Sequence, residues 1–364
     1  MEQMQFAAVV VLALLLVKLL LLPRRVAVHA VVNKARWLMV GGTGLLLAHF
    51  ALQYILKLRL LGVTQAVMLN LVFFIPVTWL FSLAVLYLQR RGRISPMDIH
   101  VGWMAWVVAV AMIGVAAAID GQPLLSDTPK LHTAEVAASV CFAAMLGYFT
   151  WRQIVTLRGM HNALQNYYDS DMDGVLQWMK YSIVIMLLMA LSVPVVIFFD
   201  CGTVAVPGLI FIACIFYFID SFFNYVLSSA PRKLQEAEEK EIEEEEEAKP
   251  KAPSSLPRVE QAVEQWVAKG GHLQSGMKMP NAADEMGVPR YLLSAWLRQK
   301  GYKYAEWMTD LRIEEAKRQL RDHPDWNNEA IAIHCGFSDR CYFQKKFKER
   351  TGISPTEYQN NQAS

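Results

Sequence analysis

Hydrophobic positions follow two regimes along this chain. Up to about residue 230 they come in long unbroken runs, and beyond it they recur every three or four positions among charged residues. A bilayer core requires about 20 mostly apolar residues per helix. Seven stretches meet that length: 6–22, 37–56, 66–88, 99–119, 133–151, 179–199 and 209–228. Only Lys57, Arg59 and Gly62 separate the second from the third, yet the two together are too long for one tilted helix. Gly41, Gly42 and Gly44 predict close helix packing, and Pro76 and Pro194 predict kinks. The first stretch follows Glu2, precedes Arg24 and Arg25, and has no small-residue cleavage site, so it is expected to stay as a helix. A multi-pass transmembrane bundle of about seven helices is the reading for 1–230.

Composition hides this division. The 364 residues are 54% hydrophobic and 19% charged, with a net charge of +2 that describes neither half, because glutamates within 236–247 offset basic residues on both sides. Basic residues do fix an orientation. With the N-terminus outside, cytoplasmic connections carry Arg24, Arg25, Lys34, Arg36, Arg90, Arg91, Arg93, Arg152, Arg158, Arg232 and Lys233, against Lys57, Arg59 and Lys130 outside. The positive-inside bias then places the C-terminal tail in the cytoplasm. External connections are short, so any signal enters through the membrane domain itself.

Polar groups inside apolar runs are costly and face a partner helix or a cavity. Asp220 and Asn224 share one helix face, His49 and Gln53 share another, and Glu135 lies near the outer end of the fifth run. These five are the candidate intramembrane sensing residues; interhelical hydrogen bonding is the plainer role. Lys18 is expected to snorkel to the headgroups. The connection 152–177 holds Tyr167, Tyr168, Asp169, Asp171 and Asp173, which match a calcium loop only partly because no closing glutamate follows, so a solvated helix-capping turn is expected.

The segment 234–248 is nearly all glutamate, alanine and lysine, a self-repelling helix former, and Pro250, Pro253 and Pro257 then break any helix. An acidic and then Pro/Ser-rich linker at 231–257 is expected, with a soluble domain at 258–364. The negative charge of the glutamate block is also expected to act on the weakly basic domain beside it, although a plain spacer is the simpler role. The five cysteines make no disulfide framework, and His334, Cys335 and Cys341 lack a second ligand pair, so no metal is expected.

In the tail, 329–355 reads as two helices around a tight turn. Ile331 and Cys335 form one apolar side, Gly336 permits the left-handed residue that ends the first helix, and Ser338 can cap the second. Phe343 and Phe347 point inward, leaving Arg340, Cys341, Gln344, Lys345 and Lys348 outward. Glutamine pairs with adenine and lysine reaches guanine or phosphate, so this face suits a major-groove reader.

The pattern I-A-x-x-x-G-F beginning at Ile331, then Tyr342-Phe343, Phe347-Lys348 and G-x-S-P at Gly352, resembles the second helix-turn-helix of AraC-type regulators. The resemblance implies an earlier copy. Ala282 through Val288, a turn at Pro289 and a helix over 290–300 supply it, with Leu293, Trp296 and Leu297 inward and Arg290, Tyr291, Ser294, Ala295 and Arg298 on the reading face. The linker helix that the family carries is similar to 304–321, including R-x-x-x-A at Arg312 and Ala316, with Trp307, Leu311, Ile313 and Leu320 inward. Ala282, Pro289 and Cys341 depart from the larger apolar residue, the capping serine and the serine or threonine usual in the family. From Lys251 onward there are about seventeen basic against fourteen acidic residues. So slight an excess implies dependence on a homodimer or on two half-sites.

The sequence thus predicts an all-α protein, a transmembrane bundle plus a soluble double helix-turn-helix domain, acting as a membrane-anchored transcription regulator on double-stranded DNA. The alternative is a transporter-like or membrane-partner sensor whose tail mainly makes protein contacts. No phosphate-binding loop or nucleophile elbow is present, so neither an enzyme nor a cofactor is expected.

Overall fold

A computed structural model describes residues 2–22, 30–56, 63–121, 128–170, 172–198, 205–228 and 256–363. It is all-α among those residues. Its internal contacts separate two compact units, Met1–Arg158 with Leu176–Pro231 and Gly159–Val175 with Arg232–Ser364. The glutamate block and most of the 231–257 linker lie outside the described residues.

The first unit draws on α1 (Glu2–Leu20), α2 (Ala30–Leu56), α3 (Val63–Gln89), α4 (Pro96–Asp120), α5 (Pro129–Tyr167), α6 (Asp173–Phe198) and α7 (Ala205–Leu227). Within the described residues, α2, α3, α4, α5 and α7 are long and apolar enough to cross a membrane. The apolar stretches Gln5–Leu20 of α1 and Gly174–Leu188 of α6 are shorter. Burial has the pattern that a bilayer solvent would give, with large apolar side chains outward and polar ones inward. Leu14, Leu21, Ile55, Ile119, Val140 and Trp151 point outward, while Gln5, Thr43, His49, Gln53, Asn70 and Asp98 are buried.

Small residues set the approach of these helices. On α4 the buried face is Gly102, Ala105, Ala109, Ile113 and Ala116, spaced by three or four. A Cβ on Gly102 would come within 2.1 Å of the Trp79 ring of α3, and one on Gly42 within 2.5 Å of Phe81. Gly41 meets only Leu80, at 3.5 Å, and Gly44 meets nothing, so the expected close packing belongs to Gly42 alone of those three. Two expectations are corrected here. The fifth helix does not end near residue 151 but continues to Tyr167, because the polar residues after Trp151 leave the hydrocarbon pattern without breaking the helix. Lys18 does not simply snorkel, since its ammonium pairs with Asp220 of α7 and lies 4.6 Å from the centre of the Phe223 ring.

The second unit takes the end of α5 and the turn after it, together with α8 (Leu256–Ala268), α9 (Met279–Met286), α10 (Arg290–Gln299), α11 (Tyr304–Asp322), α12 (Asn328–His334), α13 (Arg340–Thr351) and α14 (Pro355–Ala363). It has two cores. One gathers Val259, Val263, Trp266, Leu293, Trp296, Trp307 and Met308, and the other gathers Ile313, Ala316, Leu320, Ile331, Phe343 and Phe347. Helix α11 contributes to both, so its two ends fix the two halves on one rigid element. Only Tyr302 and Ile333 stand out as exposed large hydrophobics among the described residues of α8 to α14.

Candidate DNA interface

Helices α12 and α13 form the second helix-turn-helix. Asn327 caps α12 by accepting from the amides of Glu329 and Ala330 at 3.1 and 2.8 Å. Gly336 then turns the chain at φ +80°, where a Cβ would sit 2.4 Å from the Leu273 carbonyl oxygen, so glycine is required twice over. The cap of α13 is Asp339, not Ser338: its carboxylate accepts from the Tyr342 amide at 2.7 Å. Phe343 and Phe347 are fully buried, which turns Arg340, Cys341, Lys345 and Lys348 to solvent and leaves Gln344 half-buried. Lys345 reaches Glu349 only at 4.0 Å, whereas Lys346 holds it at 2.9 Å. Burial pushes the Cys335 thiol up to about 12, so it stays protonated, a poor metal ligand.

The first helix-turn-helix is α9 and α10. Gly287 closes α9 at φ +66°, and Pro289 precedes α10 without a side-chain cap. Leu293, Trp296 and Leu297 are buried; Arg298 is exposed, and Arg290, Tyr291, Ser294 and Ala295 are half-buried. Both sets of expected reading residues therefore share the outward side of their helices. The Arg290 guanidinium lies 5.8 Å from the centre of the Tyr167 ring.

Sequence reasoning missed how this unit holds the buried guanidinium of Arg312. Arg312 of α11 donates to the carbonyls of His272 and Gln274 at 2.9 and 2.7 Å and to Asp169 Oδ2 at 2.6 Å. The same Oδ2 accepts from the Met277 amide at 2.9 Å. Asp169 is thus a buried counterion, which corrects the solvated capping turn expected of it. His272 is buried beside this node, and burial holds its imidazole below the usual histidine range against the opposing pull of Glu315.

The candidate intramembrane residues do not converge on one site. Gln53 accepts from Gln5 at 3.4 Å and donates to Asn70 at 3.1 Å, while the His49 ring packs on Phe50, Phe73 and Phe74. Asp220 pairs with Lys18 and accepts from Asn224 at 3.1 Å. Gln5 and Lys18 stand about 20 Å apart along α1, so these two polar clusters occupy opposite ends of it. Glu135 is buried with His132 at 3.8 Å. A further cluster had no place in the sequence reading. Asp98, fully buried, accepts from Arg152 Nε and Nη2, both at 3.1 Å, from the Tyr148 hydroxyl at 2.8 Å and from the Ser95 amide at 3.1 Å. The S-x-x-D spacing of Ser95 and Asp98 at a helix start was the available signal.

The helix-turn-helix domain family matches residues 282–361. The uncharacterized transcriptional regulatory protein YesN of Bacillus subtilis is 33% identical over 75 residues, 20% of this chain and 20% of that protein. Regulatory protein PocR of Salmonella typhimurium is 28% identical over 88 residues, 24% of this chain and 29% of its own length. The HTH-type transcriptional regulator GadX of Escherichia coli is 30% identical over 81 residues, 22% and 29% of the two chains. The similarity thus spans less than a third of each relative. No solved structure matches the chain. With α9–α10 and α12–α13 bridged by α11 inside the matched region, the C-terminal part of this chain is an AraC-type helix-turn-helix domain.

Proposed function

We propose that this chain is a membrane-anchored, sequence-specific regulator of transcription, with a membrane domain at 1–230, a linker at 231–257 and a DNA-binding domain at 258–364. The observation that carries the reading is the coexistence of five helices fit to cross a membrane with two helix-turn-helix pairs joined by one helix. In this reading α10 and α13 enter successive major grooves on one face of double-stranded DNA. Arg290, Tyr291, Ser294, Ala295 and Arg298 serve the first groove, and Arg340, Cys341, Gln344, Lys345 and Lys348 the second. The slight basic excess calls for a homodimer or paired half-sites.

The N-terminus lies outside the bacterial inner membrane and the C-terminal domain in the cytoplasm. The basic bias supports this, as does the meeting of Arg90 and Arg152 at Asp98, which brings two basic connections to one end of the bundle. A signal acts through the bundle, whose polar clusters, buried around Gln53 and half-exposed around Asp220, are where a ligand or membrane partner would be felt. Crosslinking the native protein to chromosomal DNA and sequencing the fragments tests the reading: discrete promoter-proximal sites are expected, and a uniform background would refute it. Labelling of single cysteines at 89–98 from outside intact cells would refute the orientation.

A further inference from the structure

Gly159–Val175 belongs to the same compact unit as the DNA-binding helices, although it is the joint between α5, itself a candidate membrane span, and α6. Its contacts fall on the first helix-turn-helix and on the helix that bridges the two. The Asp169 carboxylate fills the socket made by Arg312 and the Met277 amide. The Lys278 ammonium lies 5.5 and 5.6 Å from the ring centres of Tyr167 and Tyr168, and the Arg290 guanidinium lies 5.8 Å from that of Tyr167. Lys303 donates to Gln165 at 2.7 Å. Tyr167, Tyr168 and Asp169 are all buried.

We infer that residues 165–169 are an intramolecular clamp that withholds the first helix-turn-helix from DNA, and that their release is the step by which the membrane half controls binding. This rests on the DNA-binding reading above. Clamp and DNA compete for the same cations. Arg290 opens the first reader helix and Lys278 precedes α9, so both stand where phosphate or a base edge must be met. In the clamped arrangement both cations lie over tyrosine faces, and the domain has few cations to spare, with about seventeen basic against fourteen acidic residues from Lys251 onward. The clamp also has a lever. It is continuous with α5, so a shift of that helix acts directly on Tyr167 and Asp169. If DNA takes only the released form, its apparent affinity falls in proportion to the released fraction.

The test uses the full-length protein in lipid nanodiscs. Asp169→Asn removes the charge but keeps an oxygen for the Met277 amide, and it should tighten DNA binding by about tenfold. A second arm does not depend on that variant folding. Gln165→Cys with Lys303→Cys, in a Cys341→Ser background that keeps reagent off the reader helix, is joined by a short bis-methanethiosulfonate crosslinker, each thiolate forming a reducible disulfide as methanesulfinate leaves. The crosslinked protein should bind DNA at least about tenfold more weakly, and reduction should restore binding. Equal affinity before and after cleavage overturns the clamp while leaving the DNA-binding reading in place. A reduced protein that binds no DNA at any salt concentration overturns both.

Discussion

Replacing Gly336 by alanine should damage the second helix-turn-helix far more than the same change at Gly301, although both glycines have left-handed backbones at φ +80° and +77°. The left-handed conformation costs an L-residue about 1–2 kcal/mol, and the reduced freedom of alanine in the unfolded chain returns about 0.4–1 kcal/mol. A Cβ at Gly301 meets nothing within 4 Å, so its net loss should be about 1 kcal/mol. At Gly336 the Cβ meets the Leu273 carbonyl oxygen at 2.4 Å and Arg312 Nε at 3.1 Å. Backbone cannot swing aside as a side chain can, and such overpacking adds about 1–3 kcal/mol. The collision also pushes on the turn whose His272 and Gln274 carbonyls hold Arg312. A total near 2–4 kcal/mol is a large part of the stability of a domain this size. Hydrogen exchange of the α12 and α13 amides in the full-length protein reads the local cost, with urea unfolding followed by tryptophan fluorescence as the second measure. Equal losses for the two variants would refute the steric reasoning.

Gln344→Ala should cost about 1–3 kcal/mol of discrimination at one base position, whereas Lys348→Ala should weaken all sequences alike and lower the salt slope by about one. Binding-site selection and salt titrations separate the two, and an unchanged base preference for Gln344→Ala would show that α13 reads DNA through other residues. His272 is held below its ordinary pKa by burial, so below about pH 6.5 the unfolded chain takes up a proton that the fold refuses. Stability of the domain should therefore fall on acidification through that region, by at most about 1.4 kcal/mol per pH unit, and His272→Gln should flatten the dependence in unfolding titrations. Arg152→Ala leaves Asp98 buried with Tyr148, Ser95 and the Arg90 guanidinium 3.8 Å away and should cost about 2–3 kcal/mol in nanodiscs, less than a fully buried pair because Arg90 remains and Arg152 itself has 21% side-chain exposure. Adding Asp98→Ala should recover part of that loss, and a double variant no more stable than the single would argue against the pair.

The apolar helices were legible because length and hydropathy are local properties, and each of the seven runs falls on an observed helix. The exception shows the limit of that signal. Hydropathy marks where hydrocarbon ends, and α5 continues to Tyr167 because its polar last turns, including Arg152, Gln153 and Asn162, are still compatible with helix. The inward faces of the two helix-turn-helix pairs were equally legible, since Leu293, Trp296, Phe343 and Phe347 recur at helical spacing and all are buried. Helix α8 went unread, although Val259, Val263 and Trp266 repeat at four and three and all three enter a core. Pro257 had suggested a break, yet proline is at home in the first turn of a helix, where α8 places it.

Charge pairing was the part that local pattern could not reach. Asp98 meets Arg152 across 54 positions, Asp169 meets Arg312 across 143, and Lys18 meets Asp220 across 202. Each of Lys18, Arg152 and Asp169 had a sufficient local explanation as a snorkelling end, a topology marker or a solvated turn, and each explanation treats the charge as wet. None of those explanations asks what a dry charge requires. Isolated in an apolar medium, a charge is so unfavourable that it must find an opposite charge or lose its own. The search is therefore narrow, because few ionisable residues lie in or beside apolar runs. Asp220 had been marked as such a residue, and Lys18 was a cation placed at the cytoplasmic end of another helix, the end at which Asp220 also falls in the same topology. Matching depth as well as sign would have joined them. No such depth scale exists outside the apolar runs, which is why Arg312 could be recognised as a motif residue in the sequence while Asp169, its partner, could not.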